Sequence, residues 1–315
     1  MLHLRLRVPD DLTEQVVEVL ETDETVTNIA VIPGGFRKPA GCLVLADIAR
    51  ENATGVIGRL RDLDLQHRGS ISIDEVDTIL SDEATRAERA APGAPDDGVV
   101  WVSVEQHLRD QSRLTWAFGV FITLATLIAG AGRITDQPIL IVGAMVVGPE
   151  FSAIAAICLA FALPRLGMLP RALHSLIGGF LLATAIATVF WSVGYQLGAF
   201  TQQQAGTGDL TDFIVRPNGW SFLVACLAGL AGTLSLTAAK SGPLVGVFIS
   251  VTTIPAIGTL AVCLACGLWG EAVLALTQLG INLLGMMLAG TLALVVQRLV
   301  WRRIYAHTTH AGLIR

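Results

Sequence analysis

Charged residues are scarce in this chain and unevenly placed. Only 15% of its 315 residues are charged, and the mean hydropathy is +0.63. These values are unusual for one large soluble core and ordinary for a protein that crosses a membrane several times. Residues 1–113 hold 21 of the 26 acidic residues and 12 of the 21 basic ones. The first third is therefore predicted to be soluble, and the remainder to lie in a lipid bilayer.

Several functional signals are missing as well. Five scattered cysteines do not form the pattern of a disulfide framework. The acidic excess of residues 1–113 excludes a basic surface that attracts nucleic acid, so no nucleic-acid partner is expected. Because no nucleophile–base set, metal cluster or phosphate loop is evident, we expect neither an enzyme nor a cofactor. Met1 to Asp23 lacks the apolar core of a secretory signal, which predicts a cytoplasmic N-terminus.

Residues 1–78 are predicted to form a small α+β domain. Apolar residues at positions 2, 4, 6 and 8 alternate with polar ones, the period of a half-buried strand. Further strands are predicted at 25–32, 41–46 and 70–76, with helices at 12–20 and 49–63 and a turn at 33–35. The order βαββαβ is that of the ferredoxin-like arrangement, in which two helices cover one face of a four-stranded antiparallel sheet. Such a domain can bind a regulatory ligand or serve assembly, and the fold alone does not choose between these roles.

Two short segments connect this domain to the apolar part of the chain. Residues 79–98 are rich in Ala, Asp, Glu, Pro and Gly and are predicted to be a linker. Residues 99–113 have a helical period through Trp101, Val104 and Leu108, which predicts an amphipathic helix at the cytoplasmic surface of the membrane.

Residues 114–300 are predicted to be an all-α bundle of six transmembrane helices. Six stretches have the length of about 20 residues that a bilayer requires: 114–132, 138–163, 171–199, 220–239, 243–268 and 272–297. Basic residues accumulate before the first span, after the second and fourth, and after the sixth. This distribution predicts that both termini, including a tail at residues 301–315, are cytoplasmic and that the protein lies in the cell membrane.

The two halves of the bundle resemble each other. Gly130, Pro138 and Pro149 are followed about one hundred residues later by Gly232, Pro243 and Pro255 at similar spacing. Three spans per half would make the halves inverted repeats. Proline and glycine interrupt the second and fifth spans, and interrupted spans in corresponding positions are typical of a transporter binding site; two ordinary kinked helices are the alternative.

Glu150 is the ionisable residue predicted to lie well inside a span. A charged carboxylate costs about 3 kcal/mol or more there, so it is normally partnered, protonated or in contact with water. The functional interpretation is that Glu150 binds a proton or cation, and the structural one is a protonated carboxyl that joins two helices. The predicted pathway consists of residues at the two interruptions and a polar pair four residues apart: Gly148, Pro149, Glu150, Ser152, Thr252, Thr253, Pro255, Gln278 and Asn282.

A family resemblance rests on segments in the same regions. They are residues 135–138, 142–151, 241–247, 254–255 and 279–285. With these motifs the chain, over about residues 100–300, resembles the bacterial and archaeal membrane family called domain of unknown function 389. The resemblance implies a multi-span protein, often with a small cytoplasmic domain before the spans, and it implies no activity. Many members carry Ser-Pro where this chain has Gly148-Pro149.

We therefore expect a transporter or channel-like protein for a small solute or ion, with spans two and five forming the pathway and the N-terminal domain regulating or assembling it. In the alternative the spans anchor a sensor or scaffold whose N-terminal domain binds a ligand or partner. A homo-oligomer is expected, because a small sheet and Gly/Ala-rich spans offer surfaces for self-pairing.

Overall fold

The computed structural model of the chain describes residues 1–76, 79–91, 93, 98–208, 210–212, 217–238 and 252–311. The chain divides into two compact units. The first, here called the N-terminal unit, contains Met1–Val104 with short pieces at Thr237–Ala239 and Trp301–Arg315. The second, the helical unit, contains Glu105–Leu236 and Lys240–Val300.

Four antiparallel strands form the sheet of the N-terminal unit. They are β1 (Leu2–Val8), β2 (Val26–Arg37), β3 (Ala40–Ile48) and β4 (Ser70–Glu75), in the spatial order β2-β3-β1-β4. Helix α1 (Thr13–Glu21) follows β1, and α2 (Ala53–Asp62) with the short α3 (Leu65–Arg68) follows β3. The predicted order of strands and main helices is therefore confirmed.

The alternating pattern of β1 produces the core of this unit. Its four apolar side chains are fully buried and pack with Val16 and Leu20 of α1 and with Val56 and Leu60 of α2. Since successive side chains of a strand point to opposite faces, the intervening His3, Arg5 and Arg7 lie on the other face of the sheet.

The sequence interpretation misplaced the first hairpin turn. Residues 33–35 lie inside β2, and the chain turns at Lys38 and Pro39 instead. The pairing register between β2 and β3 shifts between Ile32 and Phe36, and Gly34 has a φ of +65°. A bulge on an edge strand accommodates a proline without a donor and a glycine with positive φ, so these residues do not end the strand.

The predicted linker contains one helix that the sequence interpretation missed. Helix α4 (Asp82–Ala90) begins after Ser81, whose hydroxyl accepts a hydrogen bond of 3.3 Å from the Ala84 amide. Ala84 and Ala87 are buried. The apolar face of this helix consists of alanines, which a search for large apolar residues does not register.

Glu51 is a buried carboxyl group in the N-terminal unit. Its side chain is fully enclosed, and neither carboxylate oxygen has a hydrogen-bond partner among the described residues. Residues 98–99 are held beside it, because Arg50 donates to the Gly98 carbonyl at 2.8 Å and Thr54 donates to the Val99 carbonyl at 2.8 Å. Burial raises the pKa of Glu51, and repulsion from Glu88 adds to this effect, while the N-terminal amine and Arg50 oppose it.

Replacing Glu51 by glutamine should stabilise the N-terminal unit at neutral and alkaline pH. A raised pKa in the folded state means that the stabilising contribution is complete below the ordinary value near 4.5 and is lost as pH rises through the raised value. In the full chain, hydrogen exchange in α2 should be slower for Glu51→Gln than for the wild type at pH 8, and the difference should vanish near pH 4. The exposed Glu14→Gln is the control. Equal exchange of Glu51→Gln and wild type at pH 8 would contradict this assignment.

The chain after α4 first forms α5 (Trp101–Gln111), the predicted amphipathic helix, whose residues from Glu105 onward belong to the helical unit. It continues with α6 (Trp116–Ile134), α7 (Pro138–Val147), α8 (Glu150–Ala162), α9 (Leu169–Gln196), α10 (Gln202–Gly206), α11 (Gly219–Thr237), α12 (Thr253–Ala265) and α13 (Trp269–Ala311).

Four of these helices, α6, α9, α11 and α13, are long and apolar enough to cross a membrane, and the bent pair α7–α8 counts as a fifth if it is one span. The predicted fifth span, residues 243–268, lies partly outside the described residues. Its described part is α12, a short apolar helix of 13 residues.

The helix surfaces fit lipid surroundings. Trp116, Trp220 and Trp269 stand at the first or second residue of α6, α11 and α13, and each is at least 69% exposed. Tryptophans at the ends of apolar helices are typical of the boundary between hydrocarbon and water. Large apolar side chains such as Leu181 and Val189 are exposed along α9, where a bilayer would cover them.

A buried arginine joins the last turn of α6 to the chain around α10. Arg133 is 1% exposed. Its guanidinium donates to the carbonyls of Ala205 and Gly206, to the Thr211 hydroxyl at 3.1 Å and to the Asp212 carboxylate at 3.1 Å. Asp136 accepts from the Leu210 and Thr211 amides and from the Thr211 hydroxyl. The five donors of arginine explain how one side chain holds so many partners.

Arg133→Met should lower the stability of the helical unit by about 3 kcal/mol. The substitution breaks a buried ion pair and leaves several hydrogen-bond acceptors without a donor. The measurement is the apparent Tm of the full chain in detergent. Arg171→Met, at an exposed position of the same unit, is the matched control and should leave Tm nearly unchanged. Equal melting of the two variants would refute the role of Arg133.

Candidate functional site

The centre of the helical unit is the break between α7 and α8. Helix α7 ends at Val147, Gly148 and Pro149 intervene, and α8 begins at Glu150 with its axis bent by 56°. Gly148 is extended, with φ −66° and ψ 128°, as expected for a residue before proline. The break leaves the last carbonyls of α7 and the first amides of α8 without partners inside their own helices.

Glu150 is buried at this break. The residue as a whole is 2% exposed to solvent. Carboxylate atom Oε1 accepts a hydrogen bond of 2.7 Å from the hydroxyl of Thr253, and Oε2 has no hydrogen-bond partner among the described residues. No basic side chain in the described part of the chain forms an ion pair with it. The described residues therefore satisfy one of the two carboxylate oxygens.

The start of α12 meets Glu150 from the other half of the chain. Thr253 is the first residue of this helix and Thr252 precedes it. The amide of Asn282 on α13 donates to the Thr252 hydroxyl at 2.6 Å and to its carbonyl at 3.2 Å. Gln278, one turn earlier on α13, donates to Asn282 Oδ1 at 3.2 Å, while its own Oε1 has no partner among the described residues.

We call Glu150, Thr252, Thr253, Gln278 and Asn282 the polar chain. It joins α8, α12 and α13 within apolar surroundings, and Glu150, Thr253, Gln278 and Asn282 are each at most 2% exposed. Because α8 and α12 both begin in it, two positive helix ends lie beside the single carboxyl group.

The other predicted site residues have different positions. Gly148 contacts the polar chain, because a Cβ there would overlap Glu150 Oε2 and lie 2.7 Å from Ile254 Cγ1. Pro149 is the residue before α8, and Pro255 is buried in the first turn of α12, where a missing amide donor costs little.

Ser152 does not join the polar chain. Its hydroxyl donates instead to Gln111 Oε1 at 3.0 Å, at the end of α5. Near the middle of α5, Glu105 forms ion pairs with Arg109 and with Arg165, which follows α8. The contacts of Gln111 and Glu105 therefore place α5 alongside α8, and the two helices run in opposite directions. The sequence interpretation missed Gln111, since an exposed glutamine at a helix end carries no distinctive signal.

The site offers oxygen ligands rather than a cluster for a transition metal. Among the described residues no group of three or more His, Cys, Asp or Glu side chains converges. Carboxylate, hydroxyl and amide oxygens, as in the polar chain, are the ligands that hard cations prefer.

Comparison with known proteins gives a family relationship for this region. Residues 145–288 match the family model described as Domain of unknown function (DUF389), which confirms the resemblance predicted from the sequence. An uncharacterized protein of Methanocaldococcus jannaschii is 23% identical over 171 residues, which are 54% of this chain and 51% of that protein. The chain thus spans about half the length of this relative. No solved structure matches the chain. The whole polar chain lies inside the matched residues.

Gly148→Ala should displace the Glu150 carboxyl and destabilise the helical unit by about 2 kcal/mol, because the new methyl group overlaps Oε2 and crowds Ile254. The apparent Tm of the full chain in detergent measures this effect. Gly143→Ala is the matched control, since a Cβ at Gly143 on α7 has nothing within 4 Å. A Tm for Gly148→Ala as high as that for Gly143→Ala would show that the contact is unimportant.

Proposed function

We propose that this protein is a membrane transporter or channel-like protein for a small solute or ion, with its pathway at the polar chain. The observation that carries the proposal is the Glu150 carboxyl. It lies at a helix break inside an apolar bundle and has one oxygen without a hydrogen-bond partner among the described residues. Such groups in membranes are costly and are typical of ion and proton paths.

The arrangement of helix ends supports a pathway over a simple joint between helices. A joint requires one hydrogen bond across the interface, and the Thr253 hydroxyl supplies it. The polar chain continues beyond this bond to Thr252, Asn282 and Gln278. Discontinuous helices whose ends meet in the middle of a bundle are characteristic of transporter binding sites.

The proposal includes six spans arranged as two inverted triplets in a cell membrane, with both termini in the cytoplasm. The similar roles of Glu150 at the start of α8 and Thr253 at the start of α12 support the repeat, and the exposed tryptophans at helix ends support membrane insertion. The strand order β2-β3-β1-β4 supports a ferredoxin-like N-terminal unit, which we assign to regulation or assembly of a homo-oligomer.

The test is flux through liposomes that contain the full chain. Wild-type protein should raise ion current or solute-driven swelling above that of empty liposomes. Glu150→Gln and Glu150→Ala should abolish most of this flux, because both remove the charged group at the break. Glu271→Gln, which removes a carboxylate from the first turn of α13, is the control and should retain it.

Unchanged flux in both Glu150 variants would refute the assigned pathway. Wild-type protein that passes neither ions nor small solutes would refute transport and favour the sensor or scaffold function.

A further inference from the structure

The atoms without partners at the polar chain are both oxygens. Glu150 Oε2 and Gln278 Oε1 belong to side chains that are 2% and 1% exposed, and neither has a hydrogen-bond partner in the described parts of the chain. A buried acceptor without a hydrogen-bond donor costs free energy, and a bound partner would recover that free energy. A partner that fits either acceptor is a cation or a hydrogen-bond donor. An anion is excluded, because the lone pairs of these oxygens and the Glu150 carboxylate would repel it.

The charges near Glu150 restrict the cation further. One carboxyl group is present, and no basic side chain among the described residues pairs with it. A single positive charge would neutralise it. The first amides of α8 and α12 add partial positive charge at the same place, so a divalent ion would leave an excess of positive charge in apolar surroundings.

A proton alone leaves the site unsatisfied. Protonation of Glu150 at Oε2 would convert this acceptor into a donor and would leave Gln278 Oε1, the other unpartnered acceptor of the polar chain, without a partner. A metal cation instead takes lone pairs directly. The break also presents the carboxyl end of α7, whose last carbonyls lack partners within that helix, and such helix ends coordinate coupling cations in broken transmembrane helices.

We infer that the polar chain binds a monovalent alkali cation, with Glu150 Oε2 as its charged ligand and Thr253 as a positioning residue that holds the carboxyl group through Oε1. This inference rests on the pathway proposed above and specifies its substrate or coupling ion as a cation. Gln278 Oε1 is the other unpartnered oxygen of the polar chain, and Asn282 fixes Thr252 at the start of α12.

The experiment measures apparent Tm of the full chain in detergent in NaCl, in KCl and in N-methylglucamine chloride at equal ionic strength. Na⁺ or K⁺ should raise Tm of the wild type in a saturable way, since a ligand that binds the folded state stabilises it. Glu150→Gln should lose this shift. Thr253→Val should weaken the apparent cation affinity by about tenfold or more, as loss of a ligand-orienting partner typically does.

Thr277→Val is the matched control. Among the described residues, its hydroxyl bonds only to the Val273 carbonyl of its own helix, at 2.8 Å, on the exposed side of α13, so the cation shift should persist. Should Glu150→Gln fail to fold, Thr253→Val against Thr277→Val decides the question. Equal Tm of the wild type in all three salts would overturn the cation site, and so would a cation shift that both threonine variants retain.

Flux measured on the same preparation separates this inference from the proposed function. Cation-dependent stabilisation without flux would contradict transport and leave the binding site standing. Flux with no effect of the cation on Tm would contradict the site and leave transport standing.

Discussion

Burying a carboxyl group among apolar helices is costly unless it has partners, and this constraint organises the helical unit around the break between α7 and α8. Glu150 obtains one hydrogen bond from Thr253 on another helix. Gly148 leaves the space that the carboxyl occupies, and Pro149 ends the preceding helix so that α8 can begin at Glu150. The bend between α7 and α8, the absence of a side chain at Gly148 and the position of the first residue of α12 together place the Glu150 carboxyl group.

The position of α8 follows from the same packing. Of its thirteen residues, all but Ser152 and Phe161 are buried, as expected for a helix that is apolar on every side. The hydroxyl of Ser152 finds its partner in Gln111 of α5. The helix that leads into the first long span is thus attached two residues from the candidate ion ligand, which provides a direct structural connection between the chain entering the helical unit and the site.

The N-terminal unit differs from the helical unit, because one face of its sheet carries charged side chains such as Arg5 and Arg7. Its strand alternation was readable from residues 1–8, and the order of its elements followed. The turn at residues 33–35 was wrong, since a Pro-Gly-Gly sequence suits a bulge on an edge strand as well as a turn. Helix α4 was missed because its buried face consists of alanines. Local composition does not distinguish these cases; the pairing of β2 with β3 and the packing around Ala84 do.

The sequence by itself determined the division into a charged first third and an apolar remainder, the long apolar helices α6, α9, α11 and α13, and the break at Pro149 with an acid beside it. These features depend on composition and on residues near one another in the chain, where hydrophobic burial and proline geometry act locally. Only the tertiary structure decided that Glu150 meets Thr253, that Asn282 holds Thr252, and that Ser152 turns to Gln111. Those pairings depend on how each helix is rotated against its neighbours, and that rotation is set by the packing of many side chains at once.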